Sequence, residues 1–274
     1  MSASVKPKDI ILCADDFGFT KGISRGILEL IKKKRLSATS CMVAHSSFKE
    51  FAFGLKNYQN SVDIGLHFDL TSSPSTSFAQ LVKATFLGNI DQSFIRNEFR
   101  KQVNQFIAAF GFAPAFVDGH HHVHQLPQIS AVILNDIHQS PGLKKTALRN
   151  CWESPLTIYK RGVSIKKAFA ISSLGRSLKK QCRTRNILTN NGFSGIYDFD
   201  TIHQYSELFE RFSDNVKSKT LIMCHPGYVD DELISKDSLV GSRRAELDYF
   251  SSAKFKELLE RKSLRLGRFG PTNY

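Results

Sequence analysis

Asp15 and Asp16 stand side by side after an apolar run, Ile10-Ile11-Leu12-Cys13-Ala14, and Phe17-Gly18 follow them. Strands buried on both faces read as continuous apolar runs, and a charge there is costly unless it is used or paired. Two adjacent carboxylates at that position fit a metal ligand beside a general base. Residues of matching chemistry recur further on. His67 follows the alternating Val62, Ile64 and Leu66; Asp118 opens the string Gly119-His120-His121-His122-Val123-His124; His225 precedes Pro226-Gly227. Four of the nine histidines fall within five positions, which is too dense for surface decoration. Asp together with neutral His suits Zn²⁺ or a similar divalent ion, and a catalytic centre needs about three protein ligands plus an open position for water. One Asp and two His supply such a set, and the other carboxylate is then free to hold a proton. Asp118 suits orienting a ligating His through its second ring nitrogen. His124 belongs with it as a supporting or substrate-binding candidate. Arg149 fits either an anchor for a substrate hydroxyl or carboxylate, or a structural salt bridge.

These residues sit where strands are expected to end. Strand-like runs at 10–14, 38–43, 62–66, 115–117, 146–148, 220–224 and 264–268 alternate with helical periodicity at 21–34, 47–56, 91–110, 127–139, 201–216 and 243–260. Ile23, Ile27, Leu30 and Ile31 share one helical face behind Thr20, a plausible N-cap, and Gly111 reads as a helix stop. Residues 71–90 show no clear period and read as a long loop, of the kind that forms lids or binding loops. Strand–helix alternation over one core predicts a single-domain α/β fold, a (β/α) barrel that is TIM-like and somewhat irregular. In such sheets function gathers at the C-terminal ends of the strands. One domain over residues 1–274 is expected, with a basic helical insertion at about 150–185.

Bulk properties narrow the alternatives. At 274 residues and 41% apolar composition the chain can bury one substantial core. No run is apolar enough to span a bilayer, and residues 1–8 lack the apolar stretch of a secretory signal, so the expected compartment is cytoplasmic. Five cysteines without a Cys-x-x-Cys read as buried free thiols. The net charge of +13 is uneven: residues 144–185 hold twelve Lys/Arg against Glu153 alone, leaving +2 for the rest. That segment reads as a solvated basic face, or as a surface for an anionic glycan, carrier or membrane. Nucleic acid is disfavoured as a partner, because only Trp152, Tyr159 and Phe169 offer stacking there. A homodimer is compatible with the sequence but not specified by it.

Ala14-Asp15-Asp16-Phe17-Gly18, Gly65-to-Thr71, Asp118-to-His124 and Cys224-His225-Pro226-Gly227 occur in that order. Together they resemble the YdjC-like (ChbG-type) carbohydrate deacetylases, over about residues 10–270. Arg244, Glu246 and Leu247, followed by Leu264-Arg265-Leu266-Gly267, resemble the C-terminal pattern of that family. The resemblance implies a barrel with one divalent metal ion, Mg²⁺ or Zn²⁺, at its mouth. It also implies hydrolysis of an N-acetyl group on an amino sugar, with release of acetate. By motif position Asp15 would be the general base, Asp16, His67 and His120 the metal ligands, and His225 the acid or oxyanion-side partner. An N-acetylated sugar would be the substrate, with residues 71–90 and the basic segment setting which one. A metal-dependent phosphoesterase is the alternative that the same Asp/His set would serve. The basic segment leaves a third reading, a protein that binds nucleic acid or another anionic surface.

Overall fold

The computed structural model describes residues 6–72, 77–199, 205–237 and 240–270. Along the chain run β1 (Lys8–Phe17), α1 (Lys21–Lys32), β2 (Ala38–Cys41), α2 (Ser46–Lys56), β3 (Asp63–Phe68), α3 (Phe78–Phe86), α4 (Gln92–Phe110), β4 (Phe116–Gly119) and α5 (Pro127–Gln139). There follow β5 (Ala147–Leu148), α6 (Pro155–Arg161), α7 (Ile165–Thr184), β6 (Gly192–Ser194), α8 (Tyr205–Phe212), β7 (Thr220–Cys224), α9 (Asp231–Lys236), α10 (Gly241–Ser251), α11 (Ala253–Arg261) and β8 (Leu264–Leu266).

Every strand pair is parallel, and seven strands lie in the order β5-β4-β3-β2-β1-β7-β6. β8 pairs with Lys8 to Ile10 of β1, below the stretch from Cys13 to Phe17 that pairs with β2. Ile10 also pairs with β7, so β8 and β2 share the opposite edge of β1 one after the other. Among the described residues the outer strands β5 and β6 are not paired with each other; residues in and beside them connect the two edges through one backbone bond and one side-chain amide. Leu148 N–H donates to the Leu188 carbonyl at 2.9 Å, and the Asn190 amide donates to the carbonyls of Asn150 at 2.7 Å and Gly192 at 2.8 Å. The sheet is therefore barrel-like and irregular, as expected, but not an eight-strand closed cylinder.

Alternation along the strands separates two apolar clusters. Ile10, Leu12, Ala14, Leu66, Val117, Leu148 and Ile222 face the helices, against Ile23, Ile27 and Leu30 of α1. Ile11, Cys13, Ala38, Phe116, Ala147, Phe193 and Leu221 face the interior. Gly65 gives room to the Phe116 ring, since a Cβ there would lie 2.5 Å from it. Phe116 in turn stacks on Phe269, with ring centroids 4.7 Å apart. The lower barrel is thus plugged with aromatic and aliphatic groups.

Three elements depart from the sequence expectations. Residues 78–86 form helix α3, not loop, capped by Ser77, whose hydroxyl accepts from Gln80 N–H while the Gln80 side chain accepts from Ser77 N–H. That capping box precedes a helix with only Leu81 and Thr85 buried, so no apolar period betrays it. β6 went unnoticed because it spans three residues and includes a glycine. The expected helix from 201 begins at Tyr205, and residues 201–204 lie outside the described residues. Other boundaries hold to within a few residues: Thr20 caps α1 through Ile23 N–H, and Gly111 ends α4 with φ of 79°. The basic segment forms α6 and α7, and among the described residues no helix is long and apolar enough to cross a membrane. All five cysteines are free and buried.

Candidate active site

β1 does not simply end at the two aspartates. Its register with β2 slips between Ala14 and Phe17, and Asp16 adopts a φ of 67°. A β-bulge of this kind re-aims side chains and is found beside active sites. A left-handed conformation is strained for a residue other than glycine. The bulge interrupts the in–out alternation, so consecutive carboxylates both reach the same cleft.

Asp16 is buried, and its two oxygens have different surroundings. Oδ2 accepts from Arg243 Nη2 at 2.7 Å. Among the described residues Oδ1 accepts no hydrogen bond, and it lies 3.3 Å from His67 Nε2 and 3.3 Å from His120 Nδ1. Burial alone would raise the Asp16 carboxyl, but the Arg243 guanidinium, with His120 and His67, holds it well below the usual range. One bare carboxylate oxygen facing two imidazole nitrogens is a donor set that fits a divalent cation. His67 is oriented from behind: its Nδ1 is 2.7 Å from Asp118 Oδ1 and 3.1 Å from Ser40 Oγ. Burial opposes a charge on His67, yet Asp118 pushes its pKa up to about 10. The carboxylate–imidazole pair also makes the opposite nitrogen a stronger donor to a metal.

Asp15 has a separate environment. Arg149 grips it with Nη1 to Oδ2 at 2.6 Å and Nη2 to Oδ1 at 2.5 Å. The same Nη2 lies 2.5 Å from Asp118 Oδ2 and 3.1 Å from Cys13 Sγ. Cys13, Asp15 and Asp118 are close enough together to resemble a second metal cage, but the guanidinium already supplies its cation. Arg149 is fully buried. Of the two roles open to it, the geometry shows the salt bridge.

The histidine string fans out in several directions because His121 and His122 take φ values of 51° and 60° in succession. His120 turns to Asp16. His121 packs against Phe78, with ring centroids 5.2 Å apart. His122 is directed toward Cys151 and Phe193. His124 is fully buried with Nε2 3.2 Å from the Arg149 carbonyl. It is not among the residues that line the cleft, and its contact is with the backbone of Arg149. Burial lowers His121 to about 4 and His124 to about 3, and it depresses His122 as well. These three imidazoles are neutral at neutral pH.

His225 enters from β7, which lies across β1, β2 and β3 from β4 in the strand order. Its ring packs on Phe199 at 5.4 Å, and its buried Nδ1 has no hydrogen-bond partner among the described residues. Burial lowers its pKa to about 4. Asp15, Asp16, His67, His120 and His225 line one cleft of about 340 Å³. Phe78 and His121 contribute to its β4 side, and Tyr197, Phe199 and Lys167 also line it. Lys167 sits 4.8 Å over the Phe199 ring.

Four expected motifs have now met at one mouth of a parallel barrel, and a family comparison agrees. The model of the YdjC-like protein family matches residues 9–261. The chain belongs to that family. Curated relatives include the chitooligosaccharide deacetylase of Yersinia enterocolitica, 28% identical and covering 96% of this chain and 98% of that one. The chitooligosaccharide deacetylase of Citrobacter koseri is 26% identical over 95% of this chain and 97% of its own. Among solved structures, a protein of Enterococcus faecalis V583 described for cellobiose-phosphate cleavage superposes with a TM-score of 0.69 at 20% identity, covering 96% and 98% of the two chains. A polysaccharide deacetylase of Bacillus cereus gives 0.50 at 11%, covering 97% and 94%. These two show a shared fold.

In this YdjC-like chain, several cleft residues escaped the sequence. Phe78 fell in the supposed loop, and Tyr197 and Phe199 lie in an irregular stretch after β6. Arg243 stands next to Arg244, which carried the family pattern; yet Arg244 is exposed and pairs with Asp248, whereas Arg243 is buried on Asp16. The i,i+3 spacing of Arg243 and Glu246 was the available signal.

Proposed function

We propose that this chain is a metal-dependent hydrolase that removes N-acetyl groups from amino-sugar units of an oligosaccharide, releasing acetate. The observation that carries the reading is the bulge: it sets an Arg-gripped Asp15 beside Asp16, whose bare oxygen faces His67 and His120. Asp16, His67 and His120 would hold the ion. A divalent ion held there supplies Lewis acidity toward the amide carbonyl and lowers the pKa of the attacking water. Asp15 takes the water proton as general base, held in place by Arg149 on the side away from the cleft. His225, neutral at rest, would stand on the oxyanion side, where negative charge developing in the cleft raises its proton affinity; the proton that Asp15 takes from the water balances the one the leaving nitrogen must gain, and His225 would relay it. The names of the curated relatives support an N-acetylated sugar as substrate.

Purified protein incubated with N-acetylated glucosamine oligomers is expected to release acetate, and phosphoesters in the same assay no phosphate. Phosphate release without acetate would favour the phosphoesterase alternative. Chelator treatment should abolish acetate release, and adding back Mg²⁺ or Zn²⁺ one at a time identifies the ion. His120→Gln should lower bound metal in parallel with activity; an unchanged metal content would remove His120 from the ligand set.

The aromatic walls account for recognition. A pyranose presents an apolar face that stacks on a ring, and Phe78 is 41% exposed at the cleft. Phe78→Ala is expected to raise KM about tenfold, the loss of roughly 1–1.5 kcal/mol of aromatic contact, with kcat nearly unchanged. An unaltered KM on dimer and trimer substrates would show that α3 does not touch the sugar.

A further inference from the structure

Glu246 is a fully buried carboxylate outside the cleft lining, yet two parts of the cleft converge on it. Its Oε2 accepts from the backbone N–H of His225 at 2.6 Å, and its Oε1 accepts from the Tyr197 hydroxyl at 2.6 Å. Tyr197 lines the cleft beside Phe199, and their rings are 4.5 Å apart. One helical turn earlier on α10, Arg243 holds Asp16 Oδ2 and also pairs with Asp237 at 2.8 Å. The Arg243 carbonyl accepts from Gly227 N–H at 3.1 Å, which fastens the turn after His225 to the same helix.

We propose that Glu246 is a positioning residue for the hydrolysis: it fixes the His225 backbone and the Tyr197–Phe199 wall to α10, in one frame with the Asp16 that Arg243 holds. This rests on the deacetylase reading for the reaction, though the geometric part stands without it. The argument is one of location and cost. His225 follows a strand that ends at Cys224, so its N–H is beyond the ladder and needs another acceptor. A neutral group would serve for that alone. Burial lifts Glu246 to about 7, against the hydrogen bonds from Tyr197 and His225 and the nearby Arg243. A raised folded-state pKa means that stability is lost as pH climbs from the unfolded carboxylate value toward 7. The fold keeps an acid here at a desolvation cost; an apolar side chain of equal size would avoid that cost but orphan the His225 N–H and the Tyr197 hydroxyl. The feature that the acid adds is a pair of acceptor oxygens reaching two cleft segments at once.

Three variants separate positioning from packing. Glu246→Leu fills the volume and removes both acceptors. Its Tm at pH 8 should fall somewhat, because relief of the buried charge only partly offsets the orphaned His225 N–H and Tyr197 hydroxyl, while kcat falls about tenfold or more, the scale of a small misplacement of reacting groups; KM should rise no less than in Tyr197→Phe, since the same wall is freed. Glu246→Gln retains an acceptor for His225, and the Tyr197 hydroxyl can reverse to accept from the amide, so kcat should recover to within about threefold of wild type by the same reasoning. Tyr197→Phe should raise KM more than it lowers kcat, because it frees only the wall. The His225 backbone amide, followed by NMR, is expected far downfield and slow to exchange in wild type and Gln, and to move upfield in Leu. A Leu variant with wild-type kcat, or a Gln variant as impaired as Leu, overturns the proposal. If the wild type releases no acetate, the deacetylase reading fails, and the His225 amide still decides whether Glu246 holds that segment.

Discussion

Asp15→Asn is expected to lower kcat for acetate release by about a thousandfold, within the 10²- to 10⁴-fold range of a lost general base, and to leave metal content unchanged. The two aspartates are adjacent, so the substitution is a sharp test of how their work is divided. Asparagine is nearly isosteric, its carbonyl oxygen still accepts from one Arg149 nitrogen, and Arg149 retains its contact with Asp118 Oδ2 at 2.5 Å. The guanidinium is not orphaned, and Asp16, His67 and His120 are untouched. What disappears is the ability to take a proton from water. Asp16→Asn removes charge from the bare oxygen instead, and should lose metal and activity together. Acetate release and metal analysis on both variants check the division. An Asp15→Asn protein that holds its metal and keeps more than about a tenth of wild-type activity would end the general-base assignment, since even a modest base contributes more than that.

Much of this arrangement was legible because function in such sheets gathers at the C-terminal ends of the strands. Apolar runs at β1 and β7 and the alternation before His67 located strand tops, and any charged residue there demanded a partner. The partnering itself was not legible. Asp15 and Arg149 are 134 positions apart and Asp16 and Arg243 are 227 apart; only the strand order brings them together. Arg149 carried a signal, a cation directly after a strand, that fits a substrate anchor and an internal salt bridge equally until its burial is known. The dense histidine string contributes one nitrogen to the candidate metal centre, that of His120, as its motif position implies; left-handed His121 and His122 turn toward Phe78 and Cys151. α3 was missed because it buries too little for a helical period to appear, and its polar capping box was the only local evidence. The basic segment includes α6 and α7, with Lys167 reaching the rim of the cleft, Arg161 buried on Glu153, and Arg149 buried on Asp15 and Asp118.

Arg149→Met should be the most destabilising single change at the site, by about 3–5 kcal/mol, because it strips the cation from a buried ion pair and leaves the carboxylates behind. Asp15 and Asp118 are both buried and both within 2.6 Å of the guanidinium. Without it, two like charges share a dry pocket, and one of them must protonate for the fold to survive. The variant should therefore lose least stability in acid and most in alkali, which a series of Tm measurements across pH reads directly. Arg149→Lys divides charge from shape. One ammonium can neutralise the pocket, but it lacks the planar fork that contacts both Asp15 oxygens and Asp118 together. Lysine is expected to restore most of the Tm while kcat stays at least about tenfold low, the cost of a general base that is charged but no longer aimed. If lysine restores both, the guanidinium contributes only its charge, and the orientation of Asp15 must come from the bulge in β1 alone.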